Sequence, residues 1–415
     1  MTSSLIPNHL LYPTLREPIE VRVENFEEKP VILMRCPMGI TPAPLGLIPE
    51  VLPLLQVFNG RLSLEQIGAQ LAHLGVTPEI AKNLAMLLDQ HRFLEGPNFT
   101  KAKLEFEYAF RNLSVRPAAL AGISYASDPS ALHKEIESYL SFGSPQTSTR
   151  HSPIHGLMTP HIDYRRGHEC YGKSFLYLEH ESPEVVLLIG TSHQFSRNLF
   201  HLTLKNFDCP LGTLKNCTEF SKNLAQSYGE ERAFMDEILH KQEHSLELQI
   251  PFLKRALPQA EIVPILVGSF HHLILNETLP SSYEPYETFV AALTQTIQDQ
   301  ILSRNRSLLV LAGVDMAHIG QYFGDKNRLS PDWLQNVQIR DHEYLNFLKN
   351  GDPIGLFGHI AEDQDARRVC GFPTMYTVID LFQRLGWKTP GHLIHYQQAV
   401  NSQNDCAVTF AGMVF

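Results

Sequence analysis

The stretch Val185-Val186-Leu187-Leu188-Ile189-Gly190-Thr191-Ser192-His193 decides how the rest of the chain is interpreted. It is a short apolar run, rich in β-branched residues, that ends in a glycine, two hydroxyl residues and a histidine. Such a run is typical of a strand that is buried on both faces of a sheet. Because ligands of open α/β sheets bind outside the carboxyl ends of the strands, we expect His193 to lie at a binding edge.

Similar apolar runs recur along the chain and alternate with segments of helical periodicity. We predict strands at residues 154–158, 261–268, 307–312 and 407–415. Helices are predicted at 332–349 and from Cys370 to Leu385, among others. This alternation predicts an α/β fold with a central, mostly parallel sheet flanked by helices.

The chain has 415 residues, which is more than one compact core usually holds. We expect an irregular arm at 1–30, a small module at 31–110 and the α/β domain at 111–415. The small module carries three short predicted helices, one of them opened by a Ser63/Gln66 capping box, and a wing-like end at 93–96.

This module resembles a winged helix and, in residues 58–67 (Phe-Asn-Gly-Arg-Leu-Ser-Leu-Glu-Gln-Ile), the PqqD-like peptide-recognition modules. The resemblance implies a peptide or protein partner at the N-terminal module. The alternative is a small helical cap that packs on the main domain.

Bulk composition limits the partners that we expect. The net charge is -10, and without a basic cluster this disfavours nucleic acid. No apolar run approaches the roughly 20 residues that span a bilayer, so we expect no membrane partner. The chain start lacks the features of a secretory signal, and the six cysteines are scattered without C-x-x-C. We therefore expect reduced thiols and a cytoplasmic protein.

Residue types that metals bind stand where predicted strands end or a helix begins. They are His161, His193 and Cys370. Two imidazoles and a thiolate would bind iron, copper or zinc and leave positions open for a substrate. We expect Cys370 to have a lowered pKa, because it precedes a predicted helix start. The alternatives are satisfied core or loop histidines and a buried structural thiol.

Two further groups could serve the same edge. Asp315 could orient a ligand histidine, and His318 could act as a general acid or base. An N-cap aspartate beside a surface histidine is the alternative. His244 shares a predicted helix face with Glu247 and could line the pocket, or it could belong to a hydrophilic helix start. The sequence lacks G-x-S-x-G, P-loop and G-x-G-x-x-G motifs, which disfavours hydrolase, NTPase and dinucleotide functions.

Taken together, residues from about 116 to 415 resemble the Memo family, also called AmmeMemoRadiSam system protein B. The resemblance is carried by the segments Arg116-Pro-Ala-Ala-Leu-Ala-Gly122, Pro160-His161-Ile162-Asp163-Tyr164, Gly190-Thr-Ser-His193, Glu243-His-Ser-Leu-Glu247, Ile262-Val-Pro-Ile-Leu-Val-Gly268, Asp315-Met-Ala-His318 and Cys370-Gly371.

The resemblance implies a fold like that of the class III extradiol dioxygenases, which are non-haem iron enzymes. It implies that His161, His193 and Cys370 are metal ligands. It also implies that Asp315 and His318 form a pocket pair and that His244 belongs to a pocket-lining motif. The chain departs from the usual family pattern at Ile162-Asp163, where Ala-Gly is common, and at Gln194, where a second histidine is common. We therefore expect the carboxylate of Asp163 to lie near the site.

We predict a redox enzyme that binds Fe(II) through His161, His193 and Cys370, with His318, Asp315 and His244 as catalytic residues and a small oxidisable molecule as substrate. Cu(I) and Zn are alternative metals, because a thiolate ligand is softer than the usual carboxylate. Two other functions stay open. One is a copper- or iron-binding protein without turnover, and the other is a partner-recognition protein built on a modified dioxygenase fold.

Overall fold

The computed structural model describes residues 6–27, 29–41, 43–143, 154–388 and 390–415. The polar loop that the sequence predicts at 144–150 lies outside these residues. The chain divides into two compact units, Met1–Asn112 and Leu113–Phe415, and each is described by itself.

The N-terminal unit pairs a small antiparallel sheet with short helices. The strands, in the order β1-β2-β3, are β1 (Glu20–Phe26), β2 (Lys29–Arg35) and β3 (Leu45–Leu47). The α-helices are α1 (Asn8–Leu11), α2 (Leu52–Val57), α3 (Leu64–Gln70), α4 (Pro78–Gln90) and α5 (Pro97–Arg111). Short 3-10 turns lie at Pro49–Val51 and Ala72–Leu74. Buried side chains of β2, such as Ile32, pack with Ile67 of α3 and Leu88 of α4.

Two predictions for this unit differ from the structure. Residues 1–30 contain the strand β1, because the alternating Val21 and Val23 suit the pleated edge beside β2. The predicted wing after the third helix is absent from the described residues. Leu94 forms only a single bridge, to Leu15, and α5 follows at once. The Ser63/Gln66 capping box is confirmed by both of its hydrogen bonds.

The C-terminal unit alternates strands and helices. Its strands are β4 (Val115–Arg116), β5 (Gly156–Thr159), β6 (Val185–Thr191), β7 (Phe200–Leu202), β8 (Asn206–Phe207), β9 (Glu261–Val267), β10 (Leu308–Gly313), β11 (His318–Ile319), β12 (His392–Asn401) and β13 (Cys406–Val414). Its α-helices are α6 (Pro129–Leu140), α7 (Tyr164–Phe175), α8 (Thr218–Tyr228), α9 (Glu230–Phe234), α10 (His244–Glu247), α11 (Ile250–Ala256), α12 (His271–Leu275), α13 (Glu284–Gln300), α14 (Pro331–Asn350), α15 (Pro353–Ala361) and α16 (Phe372–Arg384). Short 3-10 turns lie at Leu176–Leu178, Glu237–Lys241, Pro280–Ser282, Leu302–Arg304 and Gln321–Phe323.

Eight strands of the described chain form one mixed sheet. Seven of them follow the order β11-β13-β5-β10-β6-β9-β7, and the eighth, β12, also pairs with β13. The four central neighbours β5, β10, β6 and β9 are parallel. The strands on both sides of this centre are antiparallel to their neighbours. The predicted α/β class is confirmed, and the parallel character is confined to the centre of the sheet.

Both faces of the central sheet are covered, as the opening stretch predicts. All seven residues of β6 are buried. Leu187 and Ile189 join a core cluster that includes side chains of α8, α13 and α16. Val186 and Leu188 face the opposite cluster, with side chains of α6, α7 and α11. A strand enclosed on both sides needs a continuous apolar run, and this is why residues 185–189 show no polar alternation.

The structure also departs from the predicted elements of this unit. The strand β12 precedes β13 as a long antiparallel partner. The helix predicted to carry His244 and Glu247 ends at Glu247, and a second helix, α11, begins at Ile250. Among the described residues, no helix is long and apolar enough to cross a membrane.

Candidate metal centre

Three neighbouring parallel strands bring their carboxyl ends to one edge of the sheet. His161 follows β5, His193 follows β6, and Asp315 follows β10, which lies between them. The ends of the three strands are aligned, because Gly313 pairs with Thr159 on one side and with Gly190 on the other. The predicted convergence of these residues at one edge therefore follows from the strand order.

Three imidazoles meet at this edge. The ring of His161 lies 4.9 Å from that of His193 and 5.1 Å from that of His244, and the last two are stacked at 4.3 Å. Each residue offers a ring nitrogen within 4.8 Å of the other two, which is close enough for one ion to be held by all three. His161 is buried at the floor, whereas the side chains of His193 and His244 are 33% and 38% exposed.

The hydrogen-bond acceptors around the rings fix which nitrogen of each is free. Nδ1 of His161 lies 3.0 Å from the carbonyl oxygen of Gly313, and Nδ1 of His193 lies 2.9 Å from a carboxylate oxygen of Glu243. Nδ1 of His244 lies 3.2 Å from the same Glu243 oxygen. Because all three partners only accept, Nδ1 of each ring carries a proton, and Nε2 is the nitrogen left for a metal. Burial acts to lower the pKa of His193, but the charge of Glu243 raises it well above its usual range, so a metal at Nε2 of this ring would have to displace a proton.

Cys370 lies beside the imidazoles, directly before the start of α16. Its Sγ is 3.3 Å from Nε2 of His161 and 3.7 Å from the carbonyl oxygen of Asp315. Burial raises the pKa of the thiol, and this outweighs the hydrogen bond with His193. The predicted lowering of this pKa is therefore wrong for the metal-free protein, because loss of water outweighs any benefit of the helix start. Metal binding would have to displace the thiol proton.

Asp315 holds the backbone of the His161 segment. Its Oδ1 accepts hydrogen bonds from the backbone N–H groups of His161, at 2.9 Å, and of Ile162, at 3.2 Å. Its Oδ2 lies 3.8 Å from Nε2 of His161. Burial raises the pKa of Asp315 to about 7, against the lowering effect of the two backbone hydrogen bonds. The alternative of a simple helix cap is excluded, because the residues after Asp315 enter β11.

His318 is the first residue of β11 and is held by two carbonyl groups. Its Nδ1 lies 3.1 Å from the carbonyl oxygen of Met316 and 3.2 Å from that of Arg368. Burial, followed by the charge of His193, lowers the pKa of His318 to about 4. Its neutral ring therefore presents Nε2 as an acceptor. The ring of Phe323 packs edge-on against it at 5.2 Å.

Glu243 is the principal residue that sequence reasoning missed. One carboxylate oxygen accepts from the His193 backbone N–H at 2.9 Å, and the other contacts the His193 and His244 rings. The same oxygen accepts from the Ser245 backbone N–H at 3.0 Å. Burial acts to raise the pKa of Glu243, but the two histidines hold it well below its usual range. Glu243 precedes His244 in the quoted motif, yet no spacing rule relates it to His193.

Two residues four positions apart fasten the same segment to the ends of β6 and β5. Ser245 Oγ donates to the carbonyl oxygen of Thr191 at 2.8 Å. Gln249 Nε2 donates to the carbonyl oxygen of Pro160 at 2.9 Å. Close approach of α10 needs glycine beneath it, because a Cβ at Gly190 would lie 2.5 Å from Ser245 Oγ. The packing of α10 on the sheet therefore delivers His244 to the other two histidines.

A fully buried ion pair anchors this segment from behind. Arg116 Nη2 lies 2.6 Å from Oε2 of Glu247, and Arg116 also donates to the carbonyl oxygens of His240 and Glu243 at 2.6 and 3.1 Å. Oε1 of Glu247 accepts from Tyr125 Oη at 2.6 Å. Sequence reasoning recorded Arg116 only as part of a motif, since a pattern does not reveal its partner 131 positions away.

At the two positions where the chain departs from the family pattern, Asp163 and Gln194 make contacts within their own segments. The carboxylate of Asp163 caps α7, where it accepts from the Arg166 backbone N–H at 3.3 Å and pairs with the Arg166 side chain. The contacts of the Asp163 carboxylate are thus with the start of α7, and its expected position near the site stays a prediction. The carbonyl oxygen of Gln194 accepts from Ser192 Oγ at 3.1 Å, which closes the turn after His193.

The fold and the edge thus define an α/β protein with a histidine-rich group at the carboxyl ends of its parallel strands. Residues 116–414 match a protein family that is described as "Memo-like protein". The chain belongs to this Memo-like family, as the sequence motifs predicted.

Relatives support the assignment. A protein of Aquifex aeolicus described as a MEMO1 family protein is 26% identical over 401 residues, which cover 95% of this chain and 99% of the relative. A MEMO1 family protein of Thermococcus onnurineus is 25% identical over 311 residues, which cover 72% of this chain and 99% of the relative. A MEMO1 family protein of Sulfolobus acidocaldarius is 28% identical over 287 residues, which cover 66% of this chain and 89% of the relative. These descriptions state a family and no reaction.

Proposed function

We propose that the protein is a non-haem Fe(II)-dependent oxidoreductase whose metal is held by His161 and His193. The observation that carries the proposal is the convergence of three imidazoles, each of which has its Nδ1 next to a hydrogen-bond acceptor. Imidazole nitrogen suits iron, copper and zinc. The donor set therefore fits a metal of this group.

Two residues compete for the position of third ligand. Cys370 is the ligand that the family resemblance implies, and its Sγ lies 3.3 Å from His161 Nε2. His244 is the residue that completes the group of three imidazoles. A thiolate there would favour Cu(I) more than a third imidazole would. The identity of the third ligand and the choice of metal are therefore linked.

The roles of the other residues follow from their contacts. A bound Fe(II) would supply redox chemistry and open coordination positions for an oxidisable substrate. His318 would accept a proton or a hydrogen bond from that substrate at Nε2, since its Nδ1 proton is held by two carbonyl groups. Asp315 would keep the His161 backbone in place, and the exposed edges of His193 and His244 would leave the approach open.

Metal analysis of anaerobically purified protein tests the proposal. We expect near-stoichiometric Fe(II) binding, and oxygen consumption with a panel of oxidisable small molecules. Cys370→Ala and His244→Ala should be compared with Cys209→Ala, which removes a buried thiol that hydrogen-bonds to Gly212. Loss of iron in one of the first two variants, with Cys209→Ala unchanged, would identify the third ligand.

Full occupancy by zinc that is unaffected by Cys370→Ala would overturn the iron proposal. Tight Cu(I) binding without oxygen consumption would instead favour a metal-binding protein that does not turn over. The soft sulfur of Cys370 beside the imidazoles is the observation that favours this second function.

A further inference from the structure

The first strand of the N-terminal unit forms an open edge of its sheet. The sheet has the order β1-β2-β3, and among the described residues no strand pairs with the outer side of β1. Every residue of β1, from Glu20 to Phe26, is exposed. An edge strand offers its backbone N–H and C=O groups to an extended chain that approaches it, so β1 is a candidate interface.

The pairing with β2 shows which backbone groups of β1 point outward. Asn25 lies opposite Pro30, and proline has no N–H to donate. These two residues therefore form a pair without mutual hydrogen bonds. Such pairs alternate with hydrogen-bonded pairs along an antiparallel ladder, so Val23 and Val21 are of the same kind as Asn25. The N–H and C=O groups of Val21, Val23 and Asn25 consequently point away from β2, towards the open edge.

The side chains of two of these residues extend an apolar face of the sheet. Val21 pairs with Met34 and Val23 pairs with Ile32, so each valine shares a face with its partner on β2. Met34 and Ile32 are fully buried, whereas Val21 and Val23 are 45% and 64% exposed. The cover over this face thus ends before the outer strand, and apolar surface remains for a partner that pairs with β1.

The order of charges along β1 selects the partner. Two copies of β1 can pair antiparallel about an axis through Val23, so that Glu20 of one copy lies opposite Phe26 of the other. This register uses the full length of both strands and joins their outward backbone groups. It also places Arg22 of each copy opposite Glu24 of the other, as a direct cross-strand pair. An axis through Arg22 or Glu24 instead shortens the overlap and brings like charges together. The strand is therefore complementary to a second copy of itself in one register.

We propose that β1 is an interface at which two copies of this chain join edge to edge, so that their N-terminal sheets become one continuous sheet. The outward residues of both strands supply about six backbone hydrogen bonds across the axis. Two Arg22–Glu24 pairs and the contact between the two Val23 side chains add to these bonds. Within one chain, Arg22 lies 3.7 Å from Glu20 and Glu24 lies 3.9 Å from Arg35. Both of these pairs are about half exposed and contribute little, so the same charges can serve a second copy.

Sedimentation equilibrium of the full-length protein over a range of concentrations tests the proposal. We expect the wild-type mass to rise with concentration from that of one chain towards that of two. Arg22→Glu brings four carboxylates together across the axis, and Glu24→Arg brings four guanidinium groups together, so each variant alone should remain a single chain. An equimolar mixture of the two variants restores opposite charges in every pair and should form the dimer again. Lys101→Glu, which reverses an exposed charge on α5, should behave as the wild type does.

Val23→Pro tests the backbone part of the interface. Proline is tolerated in an edge strand where the N–H faces solvent, so the variant should keep its circular dichroism spectrum and lose the dimer. The mixture of charge variants decides even if Val23→Pro fails to fold. A single-chain mass of the wild type at every concentration overturns the proposal and leaves the edge to an extended segment of another protein. A dimer that persists in Arg22→Glu also overturns it, because that dimer uses another surface.

Discussion

Two groups of histidines in the C-terminal unit have opposite surroundings. His161, His193 and His244 lie at the carboxyl edge of the sheet, and each Nδ1 faces an acceptor. His201 and His240 lie in the interior, where His240 Nε2 donates to the His201 carbonyl oxygen at 3.0 Å. Within the described residues, both ring nitrogens of His201 and Nδ1 of His240 have no hydrogen-bond partner.

The comparison shows what distinguishes a candidate ligand from a buried histidine. Burial and the proximity of a second imidazole are common to both groups. Only the edge group has acceptors that direct Nε2 of several rings to one point, and only there does a carboxylate contact two rings. The arrangement of acceptors, more than the number of histidines, therefore marks the candidate centre.

We expect the largest effect on metal affinity, which should differ between variants of the two groups of histidines. His161→Ala should lower the affinity for the bound metal by more than about a hundredfold, which exceeds what the loss of a supporting hydrogen bond causes. His240→Gln keeps an N–H donor for the His201 carbonyl and should bind metal as the wild type does. Anaerobic dialysis followed by elemental analysis measures both. Stoichiometric metal in His161→Ala would contradict the assignment.

The anchor behind the edge group should matter for stability. Arg116→Met leaves the Glu247 carboxylate buried without its partner, and we expect unfolding to become easier by about 3–5 kcal/mol. Arg306→Gln, which breaks partly exposed pairs with Glu184 and Glu261, should cost about 0–1 kcal/mol for each pair. Urea titration of both variants gives the comparison. Equal losses would show that Arg116 and Glu247 are not coupled as described.

Removal of the carboxylate tests the acceptor argument directly. In Glu243→Gln the amide cannot accept from both the His193 backbone and the His193 ring, so we expect metal affinity to fall about 10–100-fold. Glu237→Gln is the matched control in the interior, where Glu237 accepts from Thr203 Oγ1 at 2.7 Å. Competition with a coloured chelator measures the affinities. An unchanged affinity in Glu243→Gln would mean that the acceptor does not tune the site.

The interior histidines, His201 and His240, should instead affect how the stability of the protein depends on pH. Burial lowers the pKa of His240 to about 3, against about 6.5 in an unfolded chain. Between these values the unfolded state binds more protons, so stability falls as the pH falls below about 6.5. From pH 7.5 to 5.5 this amounts to about 1.4 kcal/mol for His240. In metal-free protein, His240→Gln should lose that much less stability over this interval, and an identical loss would contradict the prediction.

Much of the architecture is visible in the sequence because it follows from continuous local patterns. The apolar run of β6 predicts a strand covered on both faces, and the capping box predicts the start of α3. The convergence of His161, His193 and Asp315 follows from strand order once parallel pairing is assumed. The antiparallel partner β12 was missed, since its residues are only partly buried and show no clear apolar run.

The remaining features depend on distant contacts that no local pattern records. Glu243 reaches His193 across 50 positions, and Arg116 reaches Glu247 across 131. The raised pKa of Cys370 depends on burial by other segments, so the helix start alone misled the prediction. Asp163 was expected near the site, and the cap that its carboxylate forms on α7 was not predicted.

The most direct test of the central claim is anomalous scattering from a crystal grown anaerobically with Fe(II). We predict a single peak at the iron edge within bonding distance of Nε2 of His161 and Nε2 of His193, with Cys370 Sγ or His244 Nε2 as the third ligand. The absence of an iron peak among these residues, or a peak elsewhere in the protein, would contradict the account.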